Sequence, residues 1–426
     1  FFDEIVDKGF QPDLITYGTI IDGLCKMGNT GAAIRLLRKM EEEGTWRPGI
    51  VEYSTIIDSL CKDRLVSEAL ELFSEMIGKS ILPNVISYNC LIQGMCNLGR
   101  WKEATRLLNE MVDRKIAPDV KTFNILVDAL CKEGVAAEAQ GVVELMIQRG
   151  EEPDVVTYAT LMDGYCLQGQ MDEALKVLDF MVTRDCAPNL VSYNILINGY
   201  CKSKQVDEAM SLFREMPHRG FIPNTVTCNT LICGLCLVGR VQNAQELVDE
   251  MQAHDHLPDL VTYNTLFDGL CKTQRFEEAI ALFQVIKDRK LNPDVTTYTI
   301  LIDGLCKAGK VEAARELFCT LSTKGIQPNV ITCTTMINGL CKEGLLNEAD
   351  ELFKEMEIYG ISPNGCTYNI TIQGFLQNKE ILRAMSYLRQ MVERGFSADA
   401  STITMMMHLS NDGLDQSLLE LKHKFV

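Results

Sequence analysis

The chain has 426 residues, of which 46% are apolar and 23% charged, with a net charge of −17. This is the composition of a soluble protein, and no apolar run approaches the roughly 18 residues that a membrane span needs. Taken alone, an acidic balance of this size argues against a nucleic-acid partner.

The chain begins at Phe1 rather than Met, so it reads as a fragment with any targeting peptide upstream. Residues 1–13 read as part of a repeat. From Leu14 onward the sequence is periodic. Near-copies of one dodecapeptide recur as VSYNILINGYCK at 191, VTYNTLFDGLCK at 261, TTYTILIDGLCK at 296 and ITCTTMINGLCK at 331. Units start at 14, 50, 85, 120, 155, 190, 225, 260, 295, 330 and 365. The first has 36 residues, with one extra near Gly44-Thr45-Trp46; the other ten have 35 and end at Asp399. No linker interrupts the array, so 14–399 reads as one domain, with a capping helix and tail over 400–426.

Each unit carries two helical patterns. In unit 260–294, Tyr263, Leu266, Phe267 and Leu270 recur at helical spacing, with Thr262 just ahead as an expected N-cap. The pattern lapses at Lys272-Thr273-Gln274. A second helix then places Ala279, Leu282, Phe283 and Ile286 on one face and stops before Asn292-Pro293-Asp294. Eleven of the twelve prolines hold that last phase, Pro217 being the exception, and proline cannot continue a helix. Ten of the seventeen cysteines share one phase of the repeat, from Cys25 to Cys341. That regularity suits a small buried apolar residue in a reducing compartment better than a compact zinc site. One second-helix position is alanine in every unit, from Ala33 to Ala384, where a small side chain lets two helices approach. A single hairpin cannot bury both faces, so the units must stack. The expected fold is all-α, a right-handed α-solenoid superhelix of about eleven helix-turn-helix repeats.

With position 1 at residue 260, positions 4, 7, 8 and 11 of the first helix form the core face, and positions 2, 5, 9 and 13 the opposite, exposed one. Position 5 and the last residue of each unit vary among amides, hydroxyls and carboxylates while the rest hardly changes. Such groups distinguish base edges. The same residues also suit helix starts and turns, and the pattern leaves both readings open.

The period, the VTYN–LIDGLCK first helix, the EA–LF–M second helix and the Pro-Asp/Asn ending together resemble the pentatricopeptide repeat family, in its pure-repeat class. The resemblance covers 14–399. It implies binding of single-stranded RNA, one base per repeat, with position 5 and the last residue selecting the base. The implied pairs are Ser54 with Asn84 for A; Asn89 with Asp119 and Asn124 with Asp154 for U; Asn194 with Asn224 for C or U. Asn229 with Asp259 and Asn264 with Asp294 imply U, Thr299 with Asn329 and Thr334 with Asn364 imply A, and Asn369 with Asp399 implies U. Gly18 with Gly49 matches no familiar pair, and Ala159 with Asn189 has no assigned base. The implied target is 5′-NAUUN(C/U)UUAAU-3′. Position 2 would clamp each base, through Ile15, Val51, Ile86, Val156, Val191, Val226, Val261 and Ile331; Lys121, Thr296 and Cys366 depart from that pattern.

Lysines at position 13, namely Lys26, Lys62, Lys132, Lys202, Lys272, Lys307 and Lys342, would meet phosphates in the family, giving an acidic protein a basic groove. Five follow an aspartate by four residues, as in Asp22–Lys26 and Asp268–Lys272, so helix-stabilising pairs are the competing reading. The segment from Gly374 to Thr402 resembles the end of the restorer-of-fertility-like group of plants. That implies a mitochondrial rather than plastid setting, an organellar transcript as target, and cleavage, end processing or translational control as outcome. No cofactor and no catalytic residue is expected, so any cleavage falls to a recruited nuclease. His254-Asp255-His256 reads as a solvated loop. The chain is expected to be monomeric. A rival reading is a scaffold that binds an extended peptide in the same groove.

Overall fold

Every first helix but one, Ile50–Lys62, starts where an Asp or Asn side chain can replace the missing backbone acceptor at a helix N-terminus. Asp259 is typical: its backbone is extended and its carboxylate accepts from the Thr262 amide at 2.9 Å. Thr262 is therefore not the N-cap that the hydropathy pattern suggested. It is the third helical residue, and its hydroxyl accepts in return from the Asp259 amide at 3.1 Å, a reciprocal capping box. The helix then runs from Leu260 to Lys272. It closes at Gln274, which takes the left-handed conformation (φ 62°), while the Arg275 amide reaches back to the Leu270 carbonyl at 2.9 Å. That is the hydrogen bond of a Schellman ending. The same position is Gly28, Gly99, Gly134 and Gly169 in other repeats, where the absent Cβ makes this turn easy.

The computed structural model describes residues 12–44, 46–253, 257–289 and 291–410. Among these, helices alternate without a strand from Leu14–Lys26 to Ala400–Ser410. Chain packing divides into two units at Ile222 and Pro223. The exceptional Pro217 ends the second helix Val206–Glu215 after 10 residues and opens a 3-10 turn, Pro217–Arg219.

Within each unit, successive first helices lie against one another, and each second helix packs on the first helix of its own repeat and of the next. This is an α-solenoid. Its core is repetitive: Tyr53, Tyr88 and Tyr158 in the first unit, Tyr263, Tyr298 and Tyr368 in the second, are at most 1% exposed. The invariant alanines, such as Ala139 and Ala314, are fully buried, as a close helix contact requires.

The first helices lock together through a glycine and a cysteine. A Cβ placed on Gly94, Gly164 or Gly199 would fall 2.3–2.6 Å from the sulfur of Cys61, Cys131 or Cys166 in the preceding repeat. Gly269, Gly304, Gly339 and Gly374 stand in the same way over Cys236, Cys271, Cys306 and Cys341. Where the facing residue is Ser59 or Ala129 instead, Cys25 and Cys96 are only half-buried.

Candidate nucleic-acid interface

The last residue of a repeat caps the next first helix, and this contact orients the proposed reading groups. Asp119 Oδ1 accepts from the Thr122 amide (2.8 Å) and from Asn89 Nδ2 (3.1 Å), and lies 2.8 Å from the Thr122 hydroxyl. That hydroxyl also lies 2.7 Å from Asn89 Oδ1. The same triad recurs with Asn124, Asp154 and Thr157, and with Asn229, Asp259 and Thr262. In all three, no side-chain hydrogen bond reaches the second carboxylate oxygen, Oδ2, among the described residues. Asn369 bonds the Asp399 amide and the Thr402 hydroxyl, and Gln373 covers that carboxylate. Asn264 bonds toward Asp294, while its own Oδ1 is buried and finds no partner among the described residues.

The hydroxyl rungs are built differently. Thr299 and Thr332 hydroxyls lie 2.7 Å apart, Thr334 and Thr367 2.9 Å, Ser54 and Ser87 2.8 Å. Thr332 in turn bonds the capping Asn329, so the pair communicates through a third residue. Asn329, Asn364 and Asn84 cap with Oδ1, which leaves Nδ2 free of hydrogen bonds among the described residues. The cap thus uses one oxygen in either residue type and leaves opposite chemistry outward, an acceptor from Asp and a donor from Asn. Asn189 and Asn224 also cap their helices, Leu190–Lys202 and Thr225–Leu237. Ala159 brings no polar group to its junction.

Position 5 is not the open stripe that a lone helical wheel implies. Ser54, Asn89, Thr334 and Asn369 are only 4–7% exposed, and the others are half-buried. The next first helix covers their flank. Position 2 is the opposite case: Ile15, Val51, Ile86, Val156, Val191, Val226, Val261 and Ile331 are all 55–76% exposed. Lys121, Thr296 and Cys366 are also exposed. Around one such region an open cavity of about 750 Å³ is lined by Asp119, Lys121, Asn124, Asp154 and Val156, two rungs with the residues beside them.

Burial works to raise the carboxyls of Asp119, Asp154, Asp259 and Asp294, but the amide, hydroxyl and asparagine hydrogen bonds outweigh it and hold them below the ordinary value. They are acceptors at neutral pH.

Models of the PPR repeat family match this chain at 48–97, 83–132, 122–166, 153–201, 188–237, 223–272, 258–307, 300–342 and 328–377, and PPR repeat models match 8–41 and 366–396. The chain belongs to the pentatricopeptide repeat family. Over 41 residues it is 49% identical to the Arabidopsis thaliana pentatricopeptide repeat-containing protein At3g61360, a match spanning 10% of this chain and 8% of that protein. Among solved structures it is similar to maize PPR10 (24% identity, TM-score 0.47, 95% of this chain and 67% of that one). It is also similar to yeast Rmd9p bound to a 16-nt target RNA (12% identity, TM-score 0.46, 97% of each chain).

Five position-13 lysines of these pentatricopeptide repeats are ion-paired within their own helix. Lys26, Lys62, Lys132, Lys272 and Lys307 meet Asp22, Asp58, Asp128, Asp268 and Asp303 at 2.5–2.7 Å. Lys202 and Lys342 follow Asn198 and Asn338 instead, are exposed, and form no ion pair among the described residues. The Ser/Thr at position 3 is the bridging position that sequence reasoning missed. It is fully buried in Ser87, Thr122, Thr157, Thr262, Thr297, Thr332 and Thr367, and it joins position 5 to the cap. Its signal was a Ser or Thr at this position in ten of the eleven repeats, Glu52 being the exception. The His254-Asp255-His256 stretch lies outside the described residues.

Proposed function

We propose that this protein binds single-stranded RNA sequence-specifically, reading one base per repeat along 5′-NAUUN(C/U)UUAAU-3′. One observation carries the reading. At most junctions the cap points one fixed oxygen inward and a variable donor or acceptor outward, beside an exposed position-2 side chain; Gly49 has no cap side chain, and Gln373 covers Asp399. Uracil offers an N–H flanked by carbonyls, which suits the spare Asp oxygen next to an asparagine. A hydroxyl at position 5 leaves room for a purine, and the spare Asn amide suits adenine's ring nitrogens. Flat base faces between successive Val or Ile side chains bury apolar surface otherwise left in water. The lysine pairs do not oppose this. Exposed i,i+4 pairs contribute about 0.3–0.5 kcal/mol, so a phosphate can displace the aspartate at little cost. With few net cations, affinity falls only gently with salt.

From the resemblance of the Gly374–Thr402 segment we further propose a restorer-of-fertility-like role in mitochondrial transcript processing, cleavage or translational control, acting through a recruited nuclease or other factor. Binding of the target oligomer and of its complement at matched salt tests the core claim: the target binds tighter, and equal binding points to a peptide scaffold instead. Asn264→Thr with Asp294→Asn moves the preferred eighth nucleotide from U to A; an unchanged preference makes that pair purely structural.

A further inference from the structure

The junction between the first two repeats departs from the polar pattern of the others. Its position-5 and last residues are Gly18 and Gly49, so no side chain is available to read or to cap. Where the neighbouring repeats place a short hydroxyl at position 3, this one places Glu52. Glu52 folds back into the space the two glycines leave. Its Oε2 accepts from the Gly49 amide at 2.8 Å, replacing the missing cap. A Cβ on Gly18 would lie 3.2 Å from Oε1, so that oxygen stands just beyond where a position-5 side chain would begin. The residue is 5% exposed, comparable with the rung residues Asn89 and Ser54 at 4% and 7%. Among the described residues it meets no Lys or Arg, and Oε1 accepts no hydrogen bond. Oε1 therefore keeps lone pairs that no protein donor occupies among the described residues.

We propose that Glu52 is the base-reading group of this junction and that it selects guanine; the inference rests on the base-per-repeat reading above. A carboxylate only accepts. Guanine presents two adjacent donors on its Watson–Crick edge, N1–H and the 2-amino group. Adenine and cytosine each set a ring-nitrogen acceptor beside their amino group, and uracil flanks one N–H with two carbonyls, so each of the three turns a lone pair toward the carboxylate. The target becomes 5′-GAUUN(C/U)UUAAU-3′.

The test uses the full chain and five 11-mers: four that differ only at the first nucleotide, and one with G first and U→A at the eighth. The G-first oligomer binds about five- to tenfold tighter than the other three. Glu52→Gln, which retains an oxygen for the Gly49 amide, shrinks that spread to under twofold and leaves the penalty at the eighth nucleotide intact. Glu52→Thr, which restores the side chain of the other repeats, gives a second and independent loss of guanine preference. If the wild type treats all four first nucleotides alike, or Glu52→Gln keeps its preference for G, while the eighth position still discriminates, this inference is wrong and the general reading stands. If the eighth position does not discriminate either, both fall.

Discussion

First and second helices are almost all 13 residues long and alternate along the chain, yet they hold their neighbours by different means. First helices touch through short buried groups: glycine on cysteine, hydroxyl on amide, cap on amide. Second helices reach one another mainly through long side chains at the surface, the buried Phe353–Tyr387 ring pair being an exception. Arg38 meets Glu75, Arg315 meets Glu348, and Lys310 meets Glu277 at 3.1 Å, with most of these side chains 38–46% exposed. Close packing fixes sequence, because a single methyl group matters there. Solvated ion pairs tolerate change. This is why the first helix repeats almost letter for letter while the second keeps little beyond its alanine and apolar face.

That contrast can be broken most sharply at a glycine. Gly339→Val drives its Cβ into Cys306, and overpacking of this kind costs about 1–3 kcal/mol; urea unfolding reads it as a lower midpoint. Adding Cys306→Ala recovers part of the loss, and a failure to recover it would mean the two residues do not interlock. Next in size are the caps. Asp259→Ala removes the side-chain acceptor for the Thr262 amide and destabilises by about 1 kcal/mol. Its pH dependence has a definite sign. The folded carboxyl lies below its unfolded value, so this stability is complete above pH ~4 and is lost as the pH falls through the folded value. Asp259→Asn keeps the cap and abolishes that share of the acid sensitivity. A smaller gain comes at the turn. Arg64→Gly relieves a left-handed non-glycine residue (φ 63°) and stabilises by about 0.5 kcal/mol, the steric relief being partly offset by added chain entropy. Smallest of all, Arg315→Ala on the outer layer shifts stability by about 0.3 kcal/mol.

Much of this was legible in the sequence because the repeat supplies eleven readings of each position. Period, helix pairs, buried tyrosines and alanines all follow from apolar spacing within one hairpin. The misreadings share a cause, since they concern contacts between hairpins. A helical wheel drawn for Asn89 alone faces it outward, but the following first helix shields it. Thr262 looked like a cap because its true role depends on Asp259 before it and on Asn229, 33 residues earlier. The glycine that meets Cys236 lies at 269, also 33 residues away, and neither residue alone announces the other. Glu52 was hidden for the same reason: its meaning comes from two glycines it does not adjoin.

The paired glycine and thiol also give this protein a built-in strain gauge. Burial pushes the Cys61, Cys131, Cys166, Cys236 and Cys341 thiols up to about 12, so each stays protonated and slow toward alkylating reagents while its junction is shut. When one seam parts, a single sulfur becomes reactive. Peptide mapping of alkylated cysteines would then report where along the array neighbouring hairpins separate first, and whether a bound strand clamps those seams closed.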